Sequence, residues 1–127
     1  MAATEGTAPA VEVELQIFSG RPNPTWTLEG AAAEEAVARA RAALDGRSIP
    51  VAPEAGLGYA GFRLTIPEGR SRRSFEVFRG VISDATADHK QHWLDARDLE
   101  GFLLDQASQR GFAKLLADGG APLSRGR

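Results

Sequence analysis

Cysteine is absent from the chain, which excludes disulfides and thiolate chemistry. Histidine is confined to His89 and His92, and lysine to Lys90 and Lys114. No stretch approaches the roughly 18 consecutive apolar residues of a membrane-crossing helix, so no membrane partner is expected. Met1 to Ala10 has neither a basic start nor an apolar centre, so no secretory signal is expected and the cytoplasm is the expected location. A net charge of −2 supplies no strong field to gather nucleic acid, which is not an expected partner.

What is present suits a globular chain. At 127 residues and 43% apolar composition, one domain can bury enough surface to fold without a metal or cofactor, and none is expected. Residues 1–10 read as a disordered arm, 11–118 as a single α+β domain, and 119–127 as a flexible tail.

Val11 to Phe18 alternates strictly, which predicts a half-buried strand ended by Ser19-Gly20-Arg21-Pro22-Asn23-Pro24. A helix is expected from Leu28 or Glu29 to Leu44, with Thr25 or Thr27 as its cap and Asp45-Gly46 as its stop. Phe62, Leu64 and Ile66 alternate with polar residues and predict a second strand. A third runs over about 74–83, joined to the second by a turn over residues 67–72. Asp84 to Trp93 reads as a polar loop. Asp95 and Asp98 then head a helix carrying Leu99, Phe102 and Leu103. The order β-α-β-β-α predicts a two-layer fold, a three-stranded mixed sheet with two helices on one face. If the first two strands are neighbours, the crossover makes them parallel.

Pairing Ile66 with Phe75 sends Phe75, Val77 and Val81 to the core. It sends Phe78 and Ile82 to the outer face, beside Phe18. Two readings of that apolar patch stand: a loop folds over it as a lid, or it is the contact surface of a homo-oligomer, most simply a dimer.

Phe18 to Trp26 is the most unusual string. Pro22 and Pro24 restrict the backbone, so the loop can hold Arg21, Asn23 and Trp26 rigidly. A fixed guanidinium and amide suit a carboxylate or phosphate, and an indole suits a ring or an apolar side chain. The structural alternative is a corner in which Asn23 bonds local backbone and Trp26 packs over the sheet. The string resembles a signature of small bacterial and fungal proteins, with weaker similarity over Gly58 to Phe62 and Leu99 to Leu104. The resemblance implies no activity, cofactor or catalytic residue.

Gly56 to Gly61 matches GxGxxG, but a strand follows rather than a helix, so the dinucleotide reading fails; Tyr59 there is a pocket-lining candidate. His89 and His92 lie near several aspartates. They are candidates for a general base, with metal binding and a plain solvated loop as the alternatives. Gly69 to Arg73 is a basic turn; nucleic-acid binding would need Arg63, Arg70, Arg72, Arg73 and Arg79 on one face.

Two functions follow. One is a homodimeric binding or interaction module for a small anionic molecule or peptide, using Arg21, Asn23, Trp26 and Tyr59. The other is a small cofactor-independent tailoring enzyme, an isomerase, cyclase or hydrolase acting on a peptide or metabolite. There His89 or His92 is the base and Arg21 the anion stabiliser, and the two loops must share a cleft.

Overall fold

The computed structural model describes residues 10–18, 20–86 and 90–122. Strand β1 (Val11–Leu15) follows the alternation: Val11, Val13 and Leu15 are buried and Glu12 is exposed. The chain then reverses, and β2 (Thr25–Leu28) pairs antiparallel with β1, Trp26 opposite Val13 and Leu28 opposite Val11. Helix α1 (Gly30–Leu44) buries a stripe of small residues, Ala33, Ala36, Ala40 and Ala43. Strand β3 (Ser48–Ile49) follows, and a connection over residues 50–61 leads to β4 (Phe62–Glu68), β5 (Ser71–Phe78), β6 (Val81–Asp84) and β7 (His92–Leu94). The C-terminal helix comes in two halves, α2 (Leu99–Ala107) and α3 (Ala113–Asp118), kinked between them at Gly111, whose φ is 97°.

Among the described residues the strands form one seven-stranded sheet in the order β2-β1-β4-β5-β6-β7-β3, every neighbouring pair antiparallel. The expected α+β class holds, but the three-stranded mixed sheet does not. The difference has two local causes. Thr25 to Leu28, expected at the head of a helix, instead completes a hairpin with β1, and Glu29 becomes the helix cap in extended conformation. Arg79 and Gly80, with φ of 51° and 78°, form a tight turn that splits the expected third strand into β5 and β6. The polar stretch after Asp84 contributes β7, which lines up β3 at the edge.

The crossover expectation also changes. β1 and β4 are neighbours but antiparallel. Residues 29–61 instead connect β2 to β4, which flank β1 and are parallel to one another.

The β4–β5 register is two residues away from the expected one: Phe75 faces Leu64, and Arg73 faces Ile66. A shift of two preserves faces, so Phe75 and Val77 are in the core as expected. The Arg79–Gly80 turn reverses the faces after it. Ile82 opposes Val77 and is fully buried, whereas Val81 opposes Phe78 on the other face. The core is one cluster of inner-face sheet residues, the α1 alanines, and Leu99, Leu103, Leu104 and Ala107 of α2. Asp98 caps α2, its side chain accepting from the Gly101 N–H, and Asp95 accepts from the N–H groups of Leu99 and Glu100 at 2.7 and 2.8 Å.

Candidate functional site

The proline-rich loop does not gather its three candidates at one place. Asn23 Oδ1 accepts from the backbone N–H of Ile17 at 3.0 Å and of Phe18 at 2.8 Å, and its Nδ2 donates to Glu14 at 2.9 Å. It therefore ties the β1–β2 corner together and satisfies amides that no ladder reaches. Trp26 packs on the inner side, edge-on to Phe62 and stacked on Phe112 with ring centroids 5.6 Å apart. Its buried Nε1 has no acceptor among the described residues. Arg21 lies 3.8 Å over the Phe18 ring. Tyr59 is also buried: its hydroxyl donates to Glu100 at 2.6 Å, and Glu100 accepts from the Gly80 N–H at 2.9 Å as well. Burial first, then the Glu100 bond and charge, push the phenol pKa far upward. These contacts latch the end of the 50–61 connection to the β5–β6 turn and to α2. The close approaches of Gly58 to Gly119 and of Gly61 to Val77 leave no space for a side chain.

The outer-face patch of Phe18, Phe78 and Ile82 is not formed as expected, because Ile82 lies in the core. The 50–61 connection stands against the outer face of β5, β6 and β7.

That outer face carries an ordered polar row. Cross-strand register places Thr25 beside Glu14, Glu14 beside Arg63, and Arg63 beside Glu76. It then places Glu76 beside Ser83 and Ser83 beside His92. Arg63 donates to Glu76 at 2.7 Å, Lys90 lies 3.6 Å from Glu76, and Ser83 Oγ is 2.7 Å from His92 Nδ1. Burial raises the Glu76 pKa, but the Arg63 hydrogen bond and the Lys90 and Arg63 charges outweigh it and hold the carboxyl below its usual range.

Two depressions share this face. The larger, of about 480 Å³, is lined by Glu12, Glu14, Thr25, Thr27, Arg63 and Thr65 together with Val13 and the candidate Trp26, and its charged groups already have partners in Arg72, Asn23 and Glu76. The smaller, of about 280 Å³, lies between the 50–61 connection and the sheet. Ala52, Pro53 and Ala55 form one wall. Gln16, Glu76, Ser83, Lys90 and His92 form the polar part of the other, and Phe78 and Val81 its apolar end. Arg21, Asn23, Trp26 and Tyr59 do not line it, so the expected pairing of the proline loop with His92 in one cleft is not formed. His89 lies outside the described residues.

The smaller cleft is the candidate site. Of its residues, sequence reading singled out His92 and Phe78 as candidates and missed Gln16, Ser83 and Lys90. The Arg-Gly pair between Phe78 and Val81 was the available signal: two β-rich runs separated by two residues read as a hairpin. Three of the five arginines that a nucleic-acid face would need are paired within the sheet. Arg63, Arg72 and Arg73 pair with Glu76, Glu12 and Asp84. Among the described residues, no three His, Asp or Glu side chains assemble as a metal-ligand set, and no helix is long and apolar enough to cross a membrane.

No protein-family model, curated protein or solved structure matches this chain.

Proposed function

We propose that this chain is a binding module that holds a small anionic molecule or short peptide between the 50–61 connection and the open face of the sheet. One observation carries the reading. Lys90 and the Ser83–His92 pair stand in one cleft with hydrogens left to donate, while Glu76 already has two cationic partners. The cleft is also walled on two sides and apolar at one end, as small-molecule sites are.

The test is an NMR screen of mixed fragments (carboxylates, phosphates, short peptides) against the labelled protein. Saturable shifts confined to the amides of Ala52, Ala55, Ser83 and His92 are expected. Shifts centred on Arg21 and Trp26, or none at all, would overturn the reading.

The 2.7 Å contact between Ser83 Oγ and His92 Nδ1 favours a second reading, a hydrolase with Ser83 as nucleophile and His92 as base. Turnover of an activated ester that disappears in Ser83→Ala supports it. Equal background rates in both proteins reject it.

A further inference from the structure

We infer that the ligand of this cleft is a compact aliphatic carboxylate, no larger than an N-acylated amino acid. The inference rests on the binding reading above and narrows it by charge, donor count, polarity and size.

Charge comes first. The charged side chains of the lining are Lys90 and Glu76, and Glu76 also takes a 2.7 Å bond from Arg63 of the neighbouring strand, so Glu76 does not depend on the Lys90 ammonium alone. A cationic ligand would have to compete for a carboxylate that is already engaged. An anion meets the ammonium of Lys90, whose side chain is 53% exposed.

The donors come next. If Ser83 donates to His92 Nδ1, then Nε2 carries the ring hydrogen and can donate to a ligand. If Nδ1–H donates to Ser83, the hydroxyl hydrogen is the one left over. In either tautomer the pair offers one donor beside the Lys90 ammonium. One ammonium and one neutral donor match the two oxygens of a carboxylate. A phosphate dianion asks for more charge and more donors than these.

The other end of the cleft is apolar. Phe78 and Val81 form its floor, and Ala52, Pro53, Ala55 and Ala60 its wall. An aliphatic group reaching this end removes apolar surface from water on the ligand and the protein alike. The volume, about 280 Å³, lies just below the usual range for small-molecule sites and suits a compact ligand.

The experiment is a titration of the full chain with N-acetyl-leucine and, separately, with N-acetyl-leucinamide, followed by the amides of Ala52, Ala55, Ser83 and His92. The acid is expected to bind at least about ten-fold more tightly than the amide. Lys90→Gln should remove most of that difference while leaving the amide shifts outside the cleft unchanged, with at most a small loss of stability from the exposed Glu76 pair. Equal affinity for acid and amide overturns the inference, as does unchanged selectivity in Lys90→Gln. A tripeptide ending in leucine that binds more tightly than N-acetyl-leucine overturns the size limit and assigns the site to a peptide terminus. Silence towards both compounds also overturns it. The fragment screen then separates the two failures: if other fragments occupy the cleft, the binding reading stands and only the carboxylate assignment falls.

Discussion

Replacing Tyr59 with Phe removes a single oxygen from the latch that closes the candidate cleft. The ring stays, so its contacts with Phe62 and Phe78, at centroid distances of 6.0 and 5.9 Å, are preserved. What is lost is a 2.6 Å bond to Glu100, a residue only 6% exposed. Glu100 keeps the Gly80 N–H on its other oxygen. Hydrogen bonds to charged groups contribute roughly 1.5–3 kcal/mol, and an orphaned buried acceptor adds to the loss. The expected cost is therefore about 2 kcal/mol, or a fall in thermal midpoint of roughly 6–10 °C for a domain of this size. Urea unfolding should show a lower midpoint with an unchanged slope. The amides of Ala52 and Ala55 should exchange faster, because the connection loses its tether. In a double-mutant cycle with Glu100→Gln, the two losses should not add. A change below about 0.5 kcal/mol, or strict additivity, would refute the latch.

Further outcomes follow from the same contacts. Asn23→Ala orphans the Ile17 and Phe18 amides and should cost roughly 2–3 kcal/mol, whereas Arg21→Ala, which loses only an exposed ring contact, should cost less than about 1 kcal/mol; equal costs by urea unfolding would refute the assignment of the corner to Asn23. Gly61 has a φ of 92°, and a methyl group there would meet the Val77 carbonyl, so Gly61→Ala should lower the midpoint sharply, while Gly20→Ala meets only backbone strain. The folded pKa of Glu76 is lowered, so its stabilising contribution is present above the unfolded carboxylate value of about 4.3 and is lost as the pH falls through the lower folded value. The stability gap between wild type and Glu76→Gln should therefore close on acidification, and a gap that widens would contradict the Arg63 pairing. Asp95 carries the opposite sign: burial raises its pKa, the amides of Glu100 and Leu99 only partly offset this, and its protonation favours the folded chain.

The alternation in β1 and β4, the faces of Phe75 and Val77, and the length of α1 were legible in the sequence because each rests on a periodicity sustained over several residues. β2, β3 and β7 were not. They have four, two and three residues, too few for a period of two to stand out from a loop. Trp26 shows the consequence: its β-propensity was visible, but the neighbouring prolines suggested a corner, and only pairing with Val13 made it a strand residue. Ile82 was assigned to the wrong face because one tight turn was read through as continuous strand.

Composition and local pattern by themselves determined an α+β chain without thiol chemistry, with half-buried strands and a proline-stiffened loop; that Asn23 bonds the backbone of this corner was decided by the fold. The site was decided by tertiary structure. Glu76, Ser83 and His92 are neighbours because three strands meet in one register, and Lys90 joins them across Glu76. The wall opposite them arrives from the return of the chain between β3 and β4. Such neighbours are chosen by hydrogen-bond ladders between segments distant in sequence, and a local pattern constrains which face a residue takes but not which residue it meets there.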